Sequence, residues 1–154
     1  MRTWAPKGHT PVIDFHFNWT HVSIIAALTR NNFYFRLYEG SIRQEQMVEF
    51  LQALKLQIKR PLLVIWDGLR SHHSKKVHQY VRGLSGQIKI EFLPAYAPDL
   101  NPVEYLWAWL KRHALANYCP NSLSELKTKA RHQLWSAQKR PCVIAACWKQ
   151  AGLW

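Results

Sequence analysis

Apolar positions along the chain change period several times, and each change predicts an element. Val22 to Thr29 carries Ile24, Ile25 and Leu28 and reads as a strand. Arg30-Asn31-Asn32 is turn chemistry, because Asn tolerates left-handed backbone and bonds its own main chain. Beyond it, Phe33, Phe35 and Leu37 alternate with Tyr34, Arg36 and Tyr38. A period of two rich in aromatics predicts a half-exposed strand that folds back on the first as a hairpin. From Arg43 to Lys59 the period becomes helical. Met47, Phe50, Leu51, Leu54 and Ile58 share one face, with Gln44, Glu45, Glu49, Gln52 and Lys55 largely opposite. Lys59-Arg60-Pro61 stops that helix. Leu62-Leu63-Val64-Ile65-Trp66 is then unbroken apolar and reads as a buried, parallel strand.

The second half continues in the same manner. Ser74 caps a helix over 75–84 with Val77, Tyr80, Val81 and Leu84 inward, and Gly83 and Gly86 mark its end. Ile88 to Phe92 alternates as a strand. Leu93 to Pro102 holds Pro94, Pro98 and Pro102 and must be a stiff, extended connection. Asn101 can cap the next helix with Pro102 at its first position, and the helix runs to near Leu115. Ser122 and Glu125 have the spacing of a capping box and open a helix with Leu123, Leu126, Ala130 and Leu134 inward. Arg140-Pro141 breaks it, and a last helix over 143–150 ends at Gly152. Residues 1–21, with Pro6, Gly8 and Pro11, read as a loop leading into the first strand. A hairpin, a crossover helix, a buried strand, a helix and a further strand make the order of an α/β domain.

Composition narrows the partners. At 154 residues the chain is long enough for one domain with a real core, and 48% hydrophobic with 19% charged residues describes a globular chain. The net charge of +12 favours a polyanion, nucleic acid before an anionic membrane surface. No apolar run is long enough for a membrane span, and no apolar core follows Arg2 and Lys7 to make a signal peptide. Cys119, Cys142 and Cys147 form no metal-ligand pattern and are expected as reduced thiols buried as small apolar residues. Trp135, Trp148 and Trp154 read as packing residues rather than base-stacking platforms.

Only nine residues are acidic, and two of them stand at the edges of predicted elements. Asp67 follows the apolar strand directly. Glu104 is the third residue after the Asn101 cap, and 36 residues separate it from Asp67. Ligands of open α/β sheets bind beyond the carboxyl ends of strands, where Asp67 falls. Each acid also has a plainer reading: Glu104 closes a capping box with Asn101, Asp99 stabilises a turn, and Asp14 is a surface or turn residue. Lys75, Lys76 and Arg82 put positive charge next to Asp67, as an ordinary basic helix or as phosphate contacts.

Three motifs taken together resemble the DDE transposases of the mariner superfamily, in particular their bacterial insertion-sequence branch. They are Asp67-Gly68-Leu69-x-x-His72, the run Leu93-Pro94-x-Tyr96-x-Pro98-Asp99-Leu100-Asn101-Pro102-Val103-Glu104, and Leu106-Trp107-x-x-Leu110-Lys111. The opening Thr3 to Pro11 is similar to that branch as well. The resemblance covers nearly the whole chain. It implies an α/β fold of RNase H-like (ribonuclease H-like) type, a mixed sheet flanked by helices. It implies phosphoryl transfer on DNA, at transposon ends and target, by three carboxylates that hold two divalent metals, Mg2+ or Mn2+. By motif position Asp67 matches the second carboxylate and Glu104 the third. Lys75, Lys76, Lys111 and Arg112 become candidate DNA contacts. His72 is expected to orient Asp67 or a phosphate, and Asn101 to support Glu104 by capping its helix.

The family's first carboxylate lies on a strand upstream of the Trp-Ala-Pro segment, which here begins at Thr3. Residues 1–154 are therefore expected to be a partial catalytic domain lacking its first central strand and first catalytic Asp, with the family's helix-turn-helix part absent too. Asp14 follows that segment rather than preceding it. The expectation is a chain inactive alone, with two open strand edges, to which another transposase chain supplies the missing strand. Its setting is the bacterial cytoplasm, at the nucleoid. Two further readings stand beside this one: a non-catalytic basic DNA-binding module built on the same fold, and a different metal nuclease with Asp14, Asp67 and Glu104 as its triad.

Overall fold

The computed structural model describes residues 7–8 and 21–153. Asp14, Trp154 and most of the Thr3–Pro11 segment lie outside the described residues. The hairpin forms as expected, from β1 (Val22–Leu28) and β2 (Phe33–Glu39), antiparallel from Val22↔Glu39 to Leu28↔Phe33. Its turn is closed by Thr29 N–H donating to the Asn32 carbonyl at 2.7 Å, and Asn32 Oδ1 accepts from Phe33 N–H at 2.8 Å. Gly40 N–H donates to the His21 carbonyl at the other end. In an antiparallel ladder bonded pairs alternate, so these two end bonds set the direction of every residue between them. Tyr34, Arg36 and Tyr38 turn their main-chain groups toward β1. Phe33, Phe35 and Leu37 turn theirs outward.

Helix α1 (Gln44–Ile58) leads to β3 (Leu62–Trp66), and α2 (Lys75–Arg82) connects it to β4 (Ile88–Phe92). Strands β3 and β4 are parallel, in register from Leu62↔Ile88 to Trp66↔Phe92. Among the described residues these are two separate two-stranded sheets. Helix α1 joins them. Its buried Met47, Phe50, Leu51 and Leu54, spaced i, i+3, i+4 and i+7, share one core with Ile25 of β1, Val77 of α2 and Ile88 of β4.

The other face of the hairpin carries a second core. Phe33 packs there with Leu106 of α3 (Pro102–Trp109), Leu110, Leu134 and Ala137 of α4 (Leu123–Gln138), and Ile144 and Cys147 of α5 (Pro141–Gln150). The hairpin is thus covered on both faces. The β3–β4 pair is covered on one only, so the expectation of a fully buried strand over residues 62–66 is corrected. Leu63 is 60% and Ile65 58% exposed. Their register partners, Lys89 and Glu91, form an ion pair at 2.8 Å on the same open face.

Other details depart from the sequence reading for local reasons. The continuous helix expected to Leu115 passes into one π-helical turn over Leu110–Ala114. Ser122 Oγ caps α4 by accepting from Glu125 N–H at 3.1 Å, but the Glu125 carboxylate does not return the bond. It accepts instead from Tyr118 O–H at 2.5 Å and Asn121 N–H at 2.8 Å, which lowers its pKa and staples the preceding turn. Helix α5 starts at Pro141, ahead of the expected 143, because proline suits a first helical position. Trp148 does pack, half-buried, with its indole N–H on the Thr29 carbonyl at 3.0 Å, whereas Trp135 is 52% exposed. Only Cys147 behaves as a buried apolar thiol, its pKa pushed up by burial; Cys142 is exposed. No helix among the described residues is long and apolar enough to cross a membrane.

The dependence of both sheets on α1 gives a test. Leu51, fully buried, is expected to cost about 2–5 kcal/mol on substitution by alanine. Glu49→Ala on the exposed side of α1 should cost no more than about 1 kcal/mol. Denaturant unfolding of the two variants checks the contrast.

Candidate active site

Because β3 and β4 are parallel neighbours, their carboxyl ends lie on the same edge of the sheet. Trp66 and Phe92 form the last rung, and Leu93 N–H adds one further bond to the Trp66 carbonyl at 2.7 Å. Asp67 therefore leaves β3 beside the point where Leu93 leaves β4 for the proline-rich run to Glu104. Both motifs emerge at one edge, the position where open α/β sheets place their ligands.

Asp67 is held by its own loop. Its Oδ1 accepts from Leu69 N–H at 3.2 Å and lies 2.7 Å from His72 Nδ1. That nitrogen is also 3.2 Å from the Asp67 carbonyl oxygen. Both partners are acceptors, so Nδ1 carries the proton. His72 is 7% exposed, and its ring stacks on Trp66 with centroids 4.4 Å apart. His72 is thus in contact with Asp67, the residue it was expected to orient. The contact leaves Asp67 Oδ2 without a partner among the described residues, on a side chain 36% exposed. The neighbour His73, which carried no signal in the sequence, stacks on Phe92 at 4.0 Å. The short 3-10 turn Arg70–His73 is thereby pinned over the final rung by two ring stacks, one per strand.

Glu104 sits in the first turn of α3. Asn101 caps that helix by accepting from Val103 N–H at 3.1 Å. The Glu104 carboxylate is exposed and makes no hydrogen bond or ion pair among the described residues, so the capping box does not form. The run before it is ordered by its main chain: a 3-10 turn at Pro98–Leu100, an Asn101 N–H to Pro98 carbonyl bond of 2.9 Å, and Tyr105 O–H on the Asp99 carbonyl at 3.3 Å. The Asp99 carboxylate likewise has no hydrogen-bond or ion-pair partner among the described residues.

The cations divide by environment. Lys75 is exposed at the start of α2 and has no ion-pair partner among the described residues, but Lys76 pairs with Glu45 of α1 at 3.1 Å. Lys111 and Arg112 are exposed on the π turn that extends the Glu104 helix. Carboxylate oxygens are the donors that hard divalent cations take. Among the described residues no three acidic, His or Cys side chains cluster as a metal-holding group.

A mixed α/β domain that brings two carboxylate-bearing motifs out at the shared carboxyl edge of parallel strands has the layout of an α/β protein with a ligand site at that edge. The family model for the DDE superfamily endonucleases matches residues 1–127, and the chain belongs to that family. No curated protein sequence matches it. Solved structures agree on the fold. The chain is similar to the Mos1 strand transfer complex (TM-score 0.68, 20% identity, covering 99% of this chain and 47% of that one). It is similar to the Mos1 mariner paired-end complex with Mn (TM-score 0.67, 20% identity, 99% and 46%). It is similar to the catalytic domain of Mos1 mariner transposase (TM-score 0.68, 23% identity, 92% and 74%). The chain thus spans about half the length of the Mos1 chains in those complexes. These likenesses bear out the expected RNase H-like α/β fold.

The double stack predicts a local phenotype. His73→Ala should cost about 0.5–1.5 kcal/mol beyond lost area and speed hydrogen exchange at the Leu93 amide. His73→Phe should preserve both. Unchanged exchange in the alanine variant would refute the pinning role.

Proposed function

We propose that this chain is the phosphoryl-transfer domain of a DDE transposase of the insertion-sequence type, acting on transposon ends and target DNA in the bacterial cytoplasm. The observation that carries this is the shared carboxyl edge from which Asp67 and the Glu104 run both emerge. In this reading Asp67 offers Oδ2 and Glu104 its free carboxylate to divalent metal. Mos1 has been solved with Mn and with Mg, and either suits these oxygen donors. Bound metal ions would stabilise charge on the attacking and leaving oxygens of a phosphodiester. His72 and Leu69 N–H hold Asp67 Oδ1, so that Oδ2 alone turns outward. Asn101 fixes the first turn of α3 and with it the place of Glu104. Lys75, Lys111 and Arg112 hold DNA phosphates along this side. Lys76 contributes less, since its ammonium is engaged by Glu45.

Two carboxylates do not fix a metal pair, and we propose that the third arrives on a strand from another transposase chain or from sequence beyond these residues. Open edges support this reading. The outward main-chain groups of Val22, Ile24, Ala26 and Leu28 make no hydrogen bond among the described residues. Among the described residues β3 is paired on one side only, and its own Leu63 and Ile65 are exposed. Until that strand is supplied, the domain binds DNA without cutting it. The second reading, a non-catalytic DNA-binding module, is favoured by the lack of a three-carboxylate cluster among the described residues.

The purified chain is expected neither to cleave nor to join DNA in Mg2+ or Mn2+. Cleavage that Glu104→Gln abolishes would overturn the requirement for a supplied strand. Metal binding separates the two readings: Mn2+ titration followed by electron paramagnetic resonance should show a weak site lost in Asp67→Asn, whereas a pure binding module shows none.

DNA affinity should fall steeply with salt. Lys75→Ala, Lys111→Ala and Arg112→Ala should each lower the log–log salt slope by about 1, and Lys76→Ala should lower it less. Slopes that none of the four changes would place the DNA on another face.

A further inference from the structure

A second site lies away from the carboxylate edge, along the outer side of β2. There a cleft of about 460 Å³ opens between α1 and α4. Its floor is the open edge of the strand. Phe35 and Leu37 turn their N–H and C=O groups into it, and none of these four groups has a partner among the described residues. The next outward carbonyl, that of Phe33, is taken by an amide: Gln138 Nε2 of α4 donates to it at 2.5 Å. One side-chain amide already does there what a neighbouring strand does along its whole length.

Two contacts fix how α4 lies. Gln138 meets Phe33 at one end, and Lys127 meets Glu39 at the other at 2.8 Å. The helix therefore runs antiparallel alongside β2. By interpolation between these anchors, Trp135 stands beside Phe35 and Arg131 beside Leu37. Arg131 is exposed and has no ion-pair partner among the described residues, whereas the other cation of the cleft, Arg36, is neutralised by Glu49. Trp135 is half exposed. Four helical residues rise about 6 Å, close to the roughly 6.8 Å between residues i and i+2 of a strand. A carboxylate and an apolar side chain two residues apart on one strand point to the same face and would meet Arg131 and Trp135 of α4 together.

We propose that this cleft takes an extended segment of another protein, added to β2 as a further strand, with an acidic side chain opposite Arg131 and an apolar one opposite Trp135. Polypeptide rather than nucleic acid fits the floor, because alternating N–H and C=O groups with a two-residue period are what a strand supplies. A second copy does not fit by its own β2. Two β2 edges cannot pair with each other, because each is recessed between α1 and α4.

The test uses synthetic octapeptides of alternating threonine that carry glutamate and phenylalanine two residues apart, in both orders, since strand direction is open. Titration by fluorescence anisotropy should show binding by one order. N-methylation of the amides that face β2, those of glutamate and phenylalanine in an antiparallel strand and those of the threonines in a parallel one, should abolish it while leaving every side chain in place. Arg131→Glu should weaken it about fivefold, the scale of one exposed charge pair, and a lysine in place of the peptide's glutamate should restore it. Thermal melts confirm that Arg131→Glu and Trp135→Ala remain folded. Failure of both orders at millimolar peptide, or equal binding by the N-methylated form, overturns the proposal. Binding of single-stranded oligothymidylate that Trp135→Ala abolishes would overturn it too, assigning the cleft to nucleic acid.

Discussion

The parallel pairing of β3 with β4 is the constraint on which the site depends. An antiparallel partner would send the proline-rich run away from Asp67. Parallel pairing brings both chains out at one edge, one rung apart, and the Leu93–Trp66 bond carries the ladder a step beyond the regular strands. The two rings of that last rung then become a platform. His72 stacks on one and His73 on the other, so the Asp67 loop is registered against the strand that leads to Glu104. Each stack is worth on the order of 1 kcal/mol. Their value lies in direction, because a carboxylate meant to meet an ion must point one way.

Among the described residues, what joins this edge to the hairpin is α1 rather than a continuous sheet. Apolar burial is non-directional and satisfied by faces, so one helix with four buried residues can hold two sheets side by side. Hydrogen bonding is satisfied by edges, and α1 does nothing for those. The hairpin accordingly has well-covered faces and, among the described residues, main-chain groups without partners along both of its edges. The open edges of β2 and β3 differ in kind. The outer edge of β2 is recessed between helices, which protects it from chance pairing as natural sheets require. Among the described residues, the free edge of β3 adjoins that strand's own exposed Leu63 and Ile65, a combination that a folded domain tolerates poorly.

Most elements were legible because period alone decides them. The α1 stripe, the aromatic alternation of β2 and the Asn101-Pro102 start of α3 all appear where the sequence places them. Burial of β3 was misread for a physical reason: an unbroken apolar run reports what a strand tolerates, not how many layers surround it. Trp135 was misread in the same way, since indole size argues for packing wherever a core is within reach, and α4 turns it into a cleft instead. Contacts formed by register could not be read at all. His73 meets Phe92, and Glu125 meets Tyr118, only once the chain has folded.

Charge supplies the last step. A chain with 21 lysines and arginines against nine acids has cations to spare for every carboxylate. The described acids use them. Glu39, Glu45, Glu49 and Glu91 are each in an ion pair with Lys or Arg, Asp67 is paired with His72, and Glu125 is hydrogen-bonded to Tyr118 and Asn121. Two carboxylates remain unengaged, Asp99 and Glu104, and both belong to the run that leaves β4 beside Asp67. An exposed ion pair gains little, so its absence at one acid is unremarkable on energetic grounds alone. Among the described residues, the acids without a hydrogen-bond or ion-pair partner in this basic chain are thus confined to the motif that follows β4.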